Sequence, residues 1–211
     1  MRVRPPRTEY RLARLSEAGA PADPYRLFGR WFRAVLARGG ADPHAMVLAT
    51  ADGLGRPSAR AMLLKEWSAA GFVFASNYTS RKGRELAANA RGALLFYWPE
   101  RQRQVRIEGR IAPLAAREND AIWAERPREA QIGAWASTQS RRIAGREVLE
   151  RRFASAVARF ANRPVPRPPH WGGWRLAPAR IEFWQGRVGR LHDRILYTRR
   201  GSGWTRARLS P

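Results

Sequence analysis

Residues 45–76 read AMVLATADGLGRPSARAMLLKEWSAAGFVFAS, and this stretch decides the fold class. MVLAT (46–50) runs into Ala51-Asp52-Gly53, a turn signal. Ser58 to Trp67 is a second extended run, and Gly71 to Ser76 is a third. Working outward, Gly92 to Trp98 is apolar and β-prone, and Val105, Ile107, Gly109 and Ile111 alternate with charged residues as a half-buried strand should. Arg180–Trp184, Arg190–Tyr197 and Trp204–Leu209 are three further strand candidates. Helical spacing falls between these groups. Asp23 reads as an N-cap with Pro24 at the first helical position. Leu27, Phe28, Trp31, Phe32, Val35 and Leu36 then form one apolar face, which Gly39-Gly40 closes. Ser80 caps a short helix through Asn89, and Leu114–Arg126 and Arg141–Asn162 form a helical middle before a Pro-rich connection, Pro164–Pro169.

Short strands joined mostly by tight turns, with helices inserted between groups, predict a mainly β, antiparallel closed barrel with added helices. The expected organisation is a polar N-terminal arm (residues 1–22) followed by one domain (23–211). The strict β-α alternation of a dinucleotide-binding sheet is absent, as is any GxGxxG.

The 211 residues include no cysteine, which excludes disulfides, thiolate metal sites and a cysteine nucleophile. Three histidines, His44, His170 and His192, are too few to suggest a multi-histidine metal site, so no metal is expected. No run approaches the roughly 20 apolar residues of a membrane helix, so no membrane association is expected. The N-terminus, MRVRPPRTEY, lacks the apolar segment of a secretion signal, which makes the cytoplasm the expected location. A formal charge of +23 raises the question of a nucleic-acid partner. The basic residues are spread through every segment, however, and nearly all are arginine, which speaks against a dedicated recognition surface. The only lysines are Lys65 and Lys82.

Both lysines lie in stretches with chemical potential. In Arg60-Ala61-Met62-Leu63-Leu64-Lys65 a strand would point Arg60, Met62 and Leu64 to one side and Ala61, Leu63 and Lys65 to the other; an ordinary strand with charged ends reads the same way. Ser80-Arg81-Lys82 opens a predicted helix, where free N–H groups and two cations suit a phosphate, although a solvated basic helix end has the same composition. Gln104, and Gln131 and Gln139 within QIGAWASTQS (131–140), offer amides that suit a heteroaromatic edge, or form a polar strand face and a loop. Trp184 suits stacking on a flat ring as well as core packing. If Arg190-Leu191-His192 is strand, the guanidinium and imidazole project together, as an anionic aromatic substrate requires.

Taken in order, RAMLLK (60–65), SRKGREL (80–86), LLFYWPERQRQVRIEG (94–109), RPREAQIGAWAS (126–137), PHWGGWR (169–175), IEFWQG (181–186) and RLHDR (190–194) resemble the pyridoxamine 5′-phosphate oxidase family over nearly the whole chain. The resemblance implies a split β-barrel and a homodimer with FMN at its interface. It also implies oxidation of pyridoxamine 5′-phosphate or pyridoxine 5′-phosphate to pyridoxal 5′-phosphate, with O2 as acceptor and hydrogen peroxide as product. By position, the family's FMN contacts fall on Arg60, Ala61, Met62, Leu63, Leu64, Lys65, Ala75, Ser76, Arg81, Lys82, Gln104, Gln139, Ser140, Trp184 and Arg194. The substrate contacts fall on Arg7, Tyr10, Lys65, Ile122, Arg126, Ala130, Arg190, Leu191 and His192, with Arg190 and His192 nearest the chemistry. Two positions depart from the pattern: the family usually offers the substrate phosphate a Tyr and a Ser where this chain has Ile122 and Ala130. Two other readings are a related FMN oxidase acting on a different aromatic substrate, of the phenazine-pathway kind, and a basic nucleic-acid-binding protein.

Overall fold

The computed structural model describes residue 2 and residues 9–39 and 42–211; Arg7, one of the expected substrate contacts, lies outside the described residues. In chain order the elements are α1 (Pro24–Leu36), β1 (Ala45–Ala51), β2 (Pro57–Leu63), β3 (Glu66–Ser68), β4 (Gly71–Asn77), α2 (Arg81–Ala88), β5 (Arg91–Trp98), β6 (Arg103–Pro113), α3 (Ala116–Ala124), α4 (Arg128–Ala136), α5 (Arg146–Arg159), β7 (Trp171–Gln185), β8 (Asp193–Arg200) and β9 (Gly203–Leu209). The strands form one sheet in the order β2-β1-β5-β6-β7-β4-β3, with β8 paired to β7 and β9 to β8. β7 pairs antiparallel with β4 through Trp171–Leu176 and with β8 through Arg180–Gln185. This is the mainly antiparallel split barrel with added helices that the sequence implies.

The chain divides into two compact units. Unit one comprises the described residues up to Leu48, with Ala93–Gly109 and Pro178–Pro211. Its core is built around α1, where the Asp23 carboxylate accepts the Tyr25 N–H and Pro24 occupies the first turn. The apolar stripe of that helix is aromatic: Phe28 meets Phe96 edge to face at 5.2 Å, and Trp31 meets Phe183 at 5.2 Å.

Unit two comprises Ala49–Gly92 and Arg110–Ala177. Its helical side packs Trp123, Ile132, Ala156, Phe160, Val165 and Trp171 together, with Ile122 and Trp135 against them. In the same unit α2 starts at Ser80, whose side chain caps it by accepting the Gly83 N–H.

Four sequence expectations are corrected. The run from Ser58 to Trp67 is two strands: the alternation continues through the buried Leu64 and breaks where Lys65 and Glu66 are exposed in succession, so a second short strand starts at Glu66. QIGAWA (131–136), read as loop, lies in α4: Ile132 and Ala136 are one helical turn apart and both are buried. β7 begins at Trp171 rather than Arg180. Its Gly172 and Gly173 weaken the strand signal, yet both are demanded by packing, since a Cβ would fall 2.0 Å from Tyr78 Oη and 2.5 Å from Leu114 Cδ1. Arg190-Leu191-His192 is not strand. Gly189 and Arg190 have φ of 65° and 64°, so the chain coils through a short 3-10 turn, and β8 starts only at Asp193.

Gly83 sets how closely α2 approaches the end of β4. A Cβ there would lie 2.0 Å from the Tyr78 carbonyl oxygen, a backbone atom that cannot rotate away. Gly83→Ala is therefore expected to destabilise the protein by about 1–3 kcal/mol in urea melts. A wild-type midpoint in that variant would show that α2 is not clamped in this way.

Candidate active site

A cleft of about 380 Å³ opens in unit two. Met62, Ala75, Ser76, Lys82, Arg126, Ala130 and Gln139 line it, joined by Asn77, Gly133, Ala134, Ser137 and Trp171. β2, β4, α2, α4 and the segment after α4 thus converge on one space, and seven of the expected site residues meet there.

Lys82 is its most unusual group, only 8% exposed. The ammonium donates to Gln139 Oε1 at 2.8 Å, Ser76 Oγ at 3.0 Å and Ser80 Oγ at 3.3 Å, which matches its three hydrogens with three acceptors. Burial, reinforced by the Arg60 charge and partly offset by Glu85, lowers its pKa to about 8. Arg126 enters from the other side of the cleft. Its guanidinium sits 4.9 Å from the centroid of the Trp171 ring and donates to the Ala130 carbonyl at 3.1 Å.

Arg60 and Arg81 do not line the cleft but converge on Glu85, 5% exposed. Burial pushes this carboxyl upward. Hydrogen bonds from Ser58, Thr50 and Arg81, with the Arg60 charge, outweigh burial and hold it at about 2. Sequence reasoning missed Glu85, Thr50 and Ser58. The signal was present in the spacing, since Glu85 follows Arg81 by four residues and Lys82 by three, placing it on their helix face. Ala61, Leu63, Lys65 and Ser140 are exposed, Leu64 is core, and Ile122 packs into the apolar cluster.

The remaining expected residues lie in unit one. Trp184, His192 and Tyr10 form a cluster, with Trp184 and His192 centroids 4.6 Å apart and Tyr10 at 5.8 Å and 5.7 Å from them. His192 Nδ1 accepts the Arg187 backbone N–H at 3.1 Å, so the neutral ring carries its proton on Nε2. Burial and the Arg190 charge keep this imidazole below its usual pKa, which favours that neutral form. Arg190 and Leu191 are exposed beside it, Leu191 at 73%. Arg194 is paired with Glu182 at 2.9 Å, and Gln104 is half-buried on β6. No cluster of three metal-ligating side chains occurs among the described residues, and none of their helices is long and apolar enough to cross a membrane.

Residues 32–159 match the family model described as pyridoxamine 5′-phosphate oxidase. The chain belongs to the pyridoxamine 5′-phosphate oxidase family. Residues 171–211 match that described as the pyridoxine 5′-phosphate oxidase C-terminal dimerisation region. A pyridoxine/pyridoxamine 5′-phosphate oxidase of Rubrobacter xylanophilus is 58% identical over 205 residues, covering 97% of this chain and 94% of that one. One of Burkholderia cenocepacia is 54% identical over 208 residues, covering 97% of each. Among solved structures, PhzG from Burkholderia lata, in complex with tetrahydrophenazine-1-carboxylic acid, superposes with a TM-score of 0.86 at 36% identity, over 90% of this chain and 94% of that one. A pyridoxamine 5′-phosphate oxidase-related, FMN-binding protein of Nostoc punctiforme shares the fold, with a TM-score of 0.72 at 18% identity over 90% and 98% of the two chains. Membership makes this chain an FMN oxidoreductase.

Within unit one, Gly186 gives Tyr10 its place. A Cβ at 186 would lie 2.7 Å from the Tyr10 ring. Gly186→Ala is expected to displace that ring and loosen the segment around it, so that trypsin cleaves after Arg11 severalfold faster than in the wild type. An unchanged cleavage rate would remove Gly186 from this role.

Proposed function

We propose that the protein oxidises pyridoxamine 5′-phosphate or pyridoxine 5′-phosphate to pyridoxal 5′-phosphate, using bound FMN and O2. The observation that carries this reading is the buried Lys82 ammonium, held by Ser76, Ser80 and Gln139 at a cleft whose lining contains seven residues of the implied site. The donor set fits FMN. Lys82, with Arg60 and Arg81 near it, supplies charge for a phosphate, Gln139 supplies an amide, and Met62 and Ala75 supply apolar surface. Bound FMN would take up a hydride from the substrate carbon and return both electrons to O2. For the amine, substrate, O2 and water become aldehyde, ammonia and hydrogen peroxide.

The protein's own part in this reading is to hold and orient. Arg126, anchored over Trp171, and Lys65 attract the substrate phosphate. Arg190 and the Nε2–H of neutral His192 meet the ring and its hydroxyl, with Tyr10 and Trp184 closing round them. Trp184, Arg190, His192 and Arg194 all lie in the region that matches the dimerisation model. This favours a homodimer whose FMN site draws on both chains.

The FMN-loaded protein in air is expected to convert pyridoxamine 5′-phosphate into equal amounts of pyridoxal 5′-phosphate and peroxide. Neither product appearing would refute the assignment. Arg190→Ala and His192→Ala should lower turnover far more than flavin content, and a parallel loss of flavin would move these residues to the cofactor shell.

A second reading, a related oxidase acting on another aromatic substrate, is favoured by one observation. Ala130 lines the cleft without a hydroxyl, and Ile122 is packed into the apolar cluster. Each hydroxyl donor missing from a phosphate is worth on the order of 1.5–3 kcal/mol, less where water replaces it. Longer-range attraction from Lys65 and Arg126 still holds a dianion. The combined Ile122→Tyr and Ala130→Ser variant is therefore expected to lower KM for pyridoxamine 5′-phosphate with little change in kcat. No gain in KM would place the phosphate elsewhere, and an FMN-loaded wild type inert toward both vitamers would support the second reading.

A further inference from the structure

Glu85 does not line the cleft and is not among the residues carried over from the family, yet four side chains donate to its carboxylate. Its Oε2 accepts from Thr50 Oγ1 at 2.6 Å, from Ser58 Oγ at 2.6 Å and from Arg60 Nη2 at 3.2 Å. Its Oε1 accepts from Arg81 Nε at 2.8 Å. The two hydroxyls also accept from Arg60, Thr50 from Nη1 at 2.6 Å and Ser58 from Nη2. A guanidinium only donates, and a hydroxyl has one hydrogen, so both hydroxyl hydrogens must turn toward the carboxylate. The direction of every bond in this ring is thereby fixed, from Arg60 through Thr50 and Ser58 to Glu85.

We propose that Glu85 is a positioning residue for the cofactor's phosphate: a buried carboxylate that fixes Arg60 and Arg81 beside Lys82 before the ligand arrives. The proposal rests on the reading above that the FMN phosphate is held by these three cations. Arginine side chains lose rotational freedom when they clamp an anion, and a tether made beforehand removes part of that loss. Charge supports the same role. Three cations and one carboxylate leave two positive charges in excess, the complement of a phosphate dianion. Without Glu85, Arg60 and Lys82 would face each other uncompensated.

Lys82 reports on the arrangement. The charged groups acting on it are Arg60 on β2 and Glu85 on its own helix. β4 and the segment after α4 present Ser76 and Gln139, which do not titrate, and Arg126 lines the same cleft. Arg60 lowers the Lys82 pKa and Glu85 raises it. A phosphate prefers the charged ammonium, so FMN affinity should be level at neutral pH and fall as pH rises through about 8. Removing the Glu85 charge must move that break to lower pH.

The test is FMN release from the full-length holoprotein on dilution, followed by recovered flavin fluorescence across pH. Wild type is expected to break near pH 8. Glu85→Gln should bind FMN about tenfold more weakly at neutral pH and break at lower pH. Glu85→Asp, which keeps the charge on a shorter arm, should lose affinity while its break stays near that of wild type. A carboxylate that merely held the fold together would weaken binding in both variants without separating their breaks. Wild-type affinity and an unmoved break in Glu85→Gln would overturn the proposal. If that variant does not fold, Ser58→Ala, which cuts one link of the ring, must show a smaller loss in affinity; no loss would overturn it equally. Lys82→Ala separates the two levels of inference. Unchanged affinity there would remove the phosphate from this seat and the proposal with it, whereas weakening in Lys82→Ala but not in Glu85→Gln would overturn the positioning role alone.

Discussion

Burying an ammonium and a carboxylate on one face of an eight-residue helix is the constraint that organises unit two. An isolated ion removed from water costs several kcal/mol, so each must be met by partners. The partners of Lys82 come from β4, the cap of α2 and the segment after α4. Those of Glu85 come from β1, β2 and the first turn of its own helix. A helix of this length has little stability of its own in water. α2 is held where it is by the elements that solvate its charges, and those elements are in turn fixed by it. The polar edge of the cleft is thus a consequence of how the fold pays for two buried ions.

In unit one the organising contact is apolar. Tyr10 lies over Gly186 and against Trp184 and His192, while the backbone that follows it is pinned by Leu12 N–H to Gln102 and Leu15 N–H to Asp193. The imidazole is oriented by a single backbone N–H, which selects its tautomer as well as its direction. Each unit therefore carries a part of the implied site with its own internal logic: charge solvated by hydroxyls and amides in one, rings packed around a directed donor in the other.

Much of the fold was legible because it rests on local rules. The Asp23-Pro24 start of α1, the Ser80 cap of α2 and the alternation in β6 are each written within a few residues. The failures share a cause. β7 was hidden by Gly172 and Gly173, which are glycines because Tyr78 and Leu114 approach there, contacts that a linear reading does not contain. α4 was hidden because its buried residues, Ile132 and Ala136, are few and its remaining face serves a cleft. The stretch Arg190 to His192 looked like strand until two successive positive φ values turned it into a coil.

The sequence by itself determined the family and the two lysine-bearing motifs, since these depend on identity and order alone. Only the tertiary structure decided which of those residues meet. It brought Lys82 to Gln139, 57 positions apart, and Arg60 to Glu85, 25 apart. It also left Lys65 exposed. Burial and hydrogen-bond partnership are set by long-range packing, and they are what turn one lysine of two into a buried, cleft-lining group with a lowered pKa, and a glutamate in a short helix into the anchor of two arginines.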